Sequence, residues 1–182
     1  MIILGVDPGT NFTGFGVIKQ KNNNYIRVIN GIIKLPSNIS LPFKLEIIYD
    51  ELVKIIDTYK PDEFAIETAF YGKNVQSAMK IGYARGAALL AAVHKKVPTS
   101  EYSPREIKKS VVGRGSASKE QVCYMIKTLL ELKEEKMKYD ESDALAVAIC
   151  HAFRITKGKG IVKRNKDWKS FIETYPERVL RD

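Results

Sequence analysis

The sequence predicts an α/β fold: a five-stranded mixed sheet flanked by helices. Three observations carry that expectation. The first 34 residues hold three strand-like segments separated by short polar turns. Beyond them, helical and strand-like patterns alternate along the chain. A length of 182 residues with 45% hydrophobic content provides one core that needs no disulfide or metal to form.

Ile2 to Val6 is a short apolar run that reads as a buried strand, ending in Asp7 and the turn residues Pro8-Gly9-Thr10-Asn11. Gly14 to Lys19 reads as a second strand and Tyr25 to Lys34 as a third, joined through the polar turn Lys21 to Asn24. In the third strand, alternation places Ile26, Val28 and Ile32 on one face. Short connections make these three an antiparallel meander. From Leu41 to Tyr59, apolar residues recur every three to four positions (Leu45, Ile48, Leu52, Ile55, Ile56), which is an amphipathic helix. Lys60-Pro61-Asp62 stops it, because the residue before proline is pushed out of the helical region.

Phe64-Ala65-Ile66-Glu67 is a fourth strand, again closing on a carboxylate. A helix over 74–95 follows, rich in small residues, with Gly82 and Gly86 in its interior. Each such glycine costs about 1 kcal/mol relative to alanine. Close backbone approach, to the sheet or to a second copy of the helix, would offset that cost. Val97 to Tyr102 is the fifth strand. Ser103-Pro104-Arg105-Glu106 and Ser118-Lys119-Glu120-Gln121 are capping boxes that open two further helices, the second running to about Leu130. Tyr139 to about Arg154 is a last helix, apolar nearly all round and hence buried.

Charge points toward a polyanion. The formal net charge is +9 with a pI near 9.4. Residues 154–182 hold 9 Lys/Arg against 4 Asp/Glu, so more than half of the excess lies there. Nucleic acid is the leading partner class. No apolar run approaches the length of a membrane span, and no secretory leader is recognisable, so the location expected is the cytoplasm. Cys123 and Cys150 have no metal-site spacing and read as small core residues in a reducing compartment.

Two strands therefore end in acids, Asp7 and Glu67, and the last helix carries Asp140 and Asp143 three residues apart, on one face. If strands one and four are parallel neighbours, the four carboxylates meet at one end of the sheet. Grouped acids repel and protonate unless a cation compensates them. Hard oxygen donors suit Mg²⁺, and two such ions form the machinery of phosphodiester cleavage. Separately, each acid also has a structural reading. Asp7 can start a turn, Glu67 can close an exposed strand, and Asp140 can cap the last helix with Asp143 at its third position.

At these residues the chain resembles the RuvC family of bacterial Holliday-junction resolvases, within the RNase H-like superfamily. The matching pieces are Leu4 to Thr10, Thr13 to Gly16, Phe64 to Glu67, Lys73-Asn74, Ala84-Arg85-Gly86, Lys108, Val111 to Gly113, Gly115 to Ala117, Lys119 and Asp140 to Ala148. They run in order from residue 1 to about 153. The resemblance implies an RNase H-like nuclease domain over 1–155, a homodimer, and Mg²⁺-dependent paired nicking of four-way DNA junctions in recombination and repair. It implies two ions per site, with Mn²⁺ as an alternative, and Asp7, Glu67, Asp140 and Asp143 as ligands. Some relatives carry histidine where this chain has Asp140. Lys119 and then Lys108 are the candidates for offsetting transition-state charge; the structural alternative is a phosphate contact or, for Lys108, a solvated helix face. An aromatic near Phe70, followed here by Tyr71, enters the junction centre in the family, the alternative being core or dimer packing. Lys73, Asn74, Lys80, Arg85, Arg105, Lys109 and Arg114 are candidate phosphate contacts or plain surface residues. The resemblance also implies a branch-migration partner, the RuvA–RuvB complex, and the 74–95 helix as dimer interface.

Residues 156–182 depart from the shorter family core. This basic extension carries Trp168, Phe171, Ile172 and Tyr175 on one helical stripe, expected to dock on the protein's own surface, with DNA or the branch-migration motor as alternatives. Two other functions compete. The Asp7-Pro8-Gly9-Thr10 turn with Gly14 and Gly16 also suits the phosphate loop of actin-like ATP-dependent phosphotransferases, although one domain is short for that fold. A non-catalytic junction-binding protein is the other, against which the full acidic set argues.

Overall fold

The structure, a computed structural model, describes residues 1–21, 24–68, 75–132 and 136–160, with side chains to residue 156. Strands β1 (Ile2–Asp7), β2 (Phe12–Lys21), β3 (Asn24–Lys34), β4 (Glu63–Glu67) and β5 (Thr99–Tyr102) form one sheet in the order β3-β2-β1-β4-β5. The β1–β2 and β2–β3 pairs are antiparallel, whereas β4 runs parallel to both β1 and β5. The sheet is thus mixed, as the pattern of short and long connections predicts.

Helices cover both faces. On one side α1 (Leu41–Tyr59) and α2 (Val75–His94) pack Ile48, Leu52, Ala84 and Ala88 against Leu4, Val6, Val17, Phe64 and Ile66. On the other, α3 (Pro104–Val112), α4 (Lys119–Leu129) and α5 (Tyr139–Gly160) pack Ile107, Val122, Ile126, Leu145 and Ile149 against Ile3, Ile18 and Ala65. Both capping boxes form: the Ser103 and Ser118 hydroxyls accept from the backbone N–H of Glu106 and Gln121. α5 continues to Gly160, past the end expected near Arg154.

Small residues set how close α5 can come. A Cβ at Gly5 would collide with the Ala144 carbonyl, and one at Gly14 with the Asp140 carbonyl. α5 therefore lies on the bare backbone of β1 and β2. That contact fixes its height and rotation above the sheet, and with them the direction of its acidic first turn.

The expected face of β3 needs correction. The register steps from Arg27 opposite Ile18 to Ile29 opposite Val17, so Val28 is an extra residue in a bulge. Alternation cannot be counted across it. Ile26 and Val28 are exposed, whereas Tyr25 packs on the α5 side and Ile29 and Ile33 on the α1 side. No helix among the described residues is long and apolar enough to cross a membrane. The stripe from Trp168 to Tyr175 lies outside the described residues.

Candidate active site

Parallel pairing of β1 with β4 places Asp7 and Glu67 at the same end of the sheet, where both strands finish. The turn after Asp7 is braced from two directions. The buried Thr13 hydroxyl donates to the Gly9 carbonyl at 2.9 Å, and the Lys44 ammonium on α1 donates to the Thr10 carbonyl at 3.1 Å. From the other layer, α5 delivers Asp143 and α4 delivers Lys119. The Lys119 ammonium donates to Asp143 Oδ2 at 2.9 Å. Asp7, Glu67, Asp143, Lys119 and Lys108 line one cavity of about 190 Å³, walled by Pro104, Ile107 and Val122.

Electrostatics confirm that these groups sense one another. Burial first, then repulsion from Asp143, pushes Asp7 up to about 7, against the pull of Lys119; Asp140 adds to the rise. Burial and then repulsion from Asp7 and Asp143 push Glu67 up to about 8, opposed by Lys119 and Lys108. The hydrogen bond to Asp143, followed by attraction to Asp143, Asp7 and Asp140, raises Lys119 further. Asp7 and Glu67 therefore hold protons to higher pH than ordinary carboxylates do.

The acids are not equivalent. Asp143 lines the cavity; Asp140 does not, and acts on Asp7 through its charge. Asp140 is also not the cap of α5, because Glu141 accepts from the Lys138 backbone N–H at 2.8 Å. The donor chemistry fits a hard divalent cation: Asp7, Glu67 and Asp143 supply carboxylate oxygens to one cavity, and two of the three are destabilised as anions. As the side chains stand, no group of three metal-binding residues among those described is close enough to hold one ion. Asp143 is instead engaged by Lys119.

The basic residues divide. Lys80, Arg105, Lys109 and Arg114 are exposed. Arg85 is ion-paired with Glu101. Phe70, Tyr71, Lys73 and Asn74 lie outside the described residues. Sequence reasoning missed the apolar wall, although the Ser103-Pro104 cap signals where α3 begins and hence where Pro104 and Ile107 must sit. It also missed the braces Thr13 and Lys44; a buried threonine four residues beyond a turn glycine was the available signal.

A five-stranded mixed sheet with paired acids where its two central parallel strands end defines an RNase H-like α/β domain with an acidic centre. The family model for the crossover junction endodeoxyribonuclease RuvC matches residues 3–151, and the chain belongs to that family. The crossover junction endodeoxyribonuclease RuvC of Salinibacter ruber is 43% identical over 179 residues, 98% of this chain and 99% of that one. The protein of that name from Chloroherpeton thalassium is 43% identical over 186 residues, covering 100% of both chains, C-terminal extension included. The structure of Thermus thermophilus RuvC in complex with Holliday junction substrate superposes with a TM-score of 0.82. It is 31% identical, covering 87% of this chain and 96% of that chain.

Proposed function

We propose that this chain is a structure-specific endonuclease that resolves four-way DNA junctions by paired, symmetric phosphodiester hydrolysis, in recombination and DNA repair. One observation carries the reading: Asp7, Glu67 and Asp143 converge with Lys119 and Lys108 in a single cavity where β1 and β4 end. Family membership and the Thermus relative bound to a Holliday junction support the substrate class.

Asp7, Glu67, Asp140 and Asp143 would hold two Mg²⁺ ions, or Mn²⁺ in their place. When bound, such ions supply an activated water and stabilise charge on the departing 3′ oxygen, leaving 5′-phosphate and 3′-hydroxyl ends. The protein's own part is electrostatic and geometric. Glu67 and Asp7 would hold such ions as deprotonated carboxylates, and Asp143 would serve as a ligand only when free of its bond to Lys119. The Lys119 and Lys108 ammonium groups, which line the same cavity, would offset charge that builds on the scissile phosphate. Lys80, Arg105, Lys109 and Arg114 meet backbone phosphates; Arg85 joins them only by leaving Glu101.

Two symmetric nicks require two such sites, which a C₂ homodimer supplies. α2 supports this assembly. Met79, Tyr83, Leu90 and Val93 are 54%, 49%, 54% and 58% exposed. With Gly86 between Tyr83 and Leu90, their spacing of four, three, four and three is that of a helix–helix seam. A Cβ at Gly82 or Gly86 would meet nothing within 4 Å. Among the described residues the glycines thus meet no other element of their own chain, which leaves room for the close approach of a second α2.

Labelled mobile four-way junction and linear duplex, each incubated with and without Mg²⁺, test the proposal. The expected result is paired nicks in the junction only, dependent on Mg²⁺ and sealable by ligase. Equal cutting of linear duplex, or cutting that ignores chelation of divalent ions, would overturn it.

A further inference from the structure

At the end of the sheet opposite the acidic cavity lies a groove of about 820 Å³. Tyr25, Leu129, Leu130 and Phe153 line it, with the exposed Lys21 and Glu131 at its rim. Phe153 meets Tyr25 edge-on, with ring centroids 5.5 Å apart. We infer that this groove is the docking site of the chain's own C-terminal segment, entered by the apolar stripe of Trp168, Phe171, Ile172 and Tyr175.

The path of α5 argues for that occupant. α5 runs from the acidic end of the sheet to this end, where Thr156 accepts a 3.1 Å hydrogen bond from Gln20, next to Lys21 of the groove. Its helical backbone is described as far as Gly160. From Thr156 to Gly160 the helix advances only about 6 Å, at roughly 1.5 Å per residue. The eight residues from there to Trp168 span up to roughly 26 Å when extended. The segment is therefore released beside the groove with enough slack to turn back into it.

Chemistry matches as well. Four large side chains at i, i+3, i+4 and i+7 make an apolar face that gains nothing in water, and each aromatic among them buries about 150–250 Å² when covered. Tyr25, Ile26, Leu129 and Phe153 offer apolar surface in return, beside the polar Lys21, Asn24, Thr128 and Glu131. The stripe is flanked by Lys166 and Asp167 and interleaved with Lys169 and Glu173, and the rim carries one charge of each sign, Glu131 and Lys21, to meet them. Docking covers the end of the α4–α5 layer and tethers the extension's positive charge away from the acidic cavity. A tail that served the junction directly would leave both stripe and groove bare in the absence of DNA.

Trp168 is the chain's single tryptophan, so its fluorescence reports the stripe alone. In the full-length protein without DNA, its emission is expected to be blue-shifted relative to the denatured chain. Acrylamide quenching should be several-fold weaker than in urea, at every protein concentration. Thr128→Arg, which places a charge in the groove, and Phe171→Glu, which lies outside the described fold, should each restore red-shifted, quenchable emission. Circular dichroism should remain native, and junction nicking unchanged. A photoreactive residue at Thr128 should cross-link to residues 165–175 within one chain. Trp168 emission matching the denatured protein would overturn the proposal, as would protection that Thr128→Arg leaves intact. Protection gained only on adding junction DNA, or cross-links to a second chain, would overturn it too, assigning the stripe to DNA or to assembly.

Discussion

Lys119, the first residue of α4, donates a 2.9 Å hydrogen bond to Asp143, in the second turn of α5 and 24 residues away in sequence. The partners differ in setting: the lysine side chain is 57% exposed and the carboxylate only 14%. The ammonium enters from solvent and settles on a carboxylate that also faces Asp7 and Glu67. On the proposed reading, a cation bound to Asp143 would compete with this ammonium.

This arrangement predicts opposite effects from one substitution. Lys119→Met removes a positive charge that competes with the metal, so less Mg²⁺ should be needed for half-maximal rate. On the proposed mechanism it also removes a donor for transition-state charge, so nicking at saturating Mg²⁺ should fall by about 10²–10³-fold. Single-turnover nicking across a Mg²⁺ titration checks both. A loss of rate with an unchanged or raised Mg²⁺ requirement would mean that Lys119 only positions Asp143.

The raised acids predict how stability follows pH. Asp7 moves from 3.8 to about 7, and Glu67 from 4.5 to about 8. Between the unfolded and folded values, the native state binds more protons than the unfolded chain. The slope of unfolding free energy with pH is therefore negative there. The contribution is complete below about pH 4 and is lost as pH rises through about 7 to 8. Melting of the chelator-treated protein should thus weaken from about pH 5 to about pH 9. Asp7→Asn should flatten that trend, abolish nicking and leave junction binding intact. Saturating Mg²⁺ should reverse it, because the cation favours the deprotonated acids. A chelator-treated protein whose melting temperature rises through this window would contradict the assignment.

The seat of α5 predicts that Gly14→Ala is disproportionately harmful. The new methyl would strike the Asp140 carbonyl. The helix can relieve the clash only by lifting away from β2, at a cost of about 1–3 kcal/mol for overpacking. Asp140 and Asp143 move with it. Nicking should therefore fall more than the loss of stability explains, measured at a temperature where the variant is still folded. Gly86→Ala, in open space, should leave the stability of one chain unchanged or slightly raised.

That contrast shows which features the sequence carries on its face. Asp7 and Glu67 were legible because strand ends are local, and parallel pairing follows from the long β3–β4 and β4–β5 connections. The unequal placement of Asp140 and Asp143 was not. Helical spacing puts both on one face, but the rotation of α5 is decided by Gly5 and Gly14, on strands far away in sequence. The β3 error has a similar origin: a bulge at Val28 changes which residues share a face, and no residue type announces it. The glycines of α2 left two readings open, sheet or second helix, and the open space around them counts against the sheet alone.

The α2 seam gives the final prediction. A charge placed at its centre should be intolerable between two helices and harmless on a free surface. Leu90 is 54% exposed on its own chain. Leu90→Glu should therefore leave the melting behaviour of one chain intact while shifting the protein from dimer to monomer in sedimentation at micromolar concentration. Each monomer keeps a full acidic site. Cleavage should not vanish but should become uncoupled, with single nicks accumulating on a junction held in a supercoiled cruciform. The wild type should release linear product, because both nicks fall within the lifetime of one complex. A Leu90→Glu protein that remains dimeric and keeps paired cutting would place the partner on another surface.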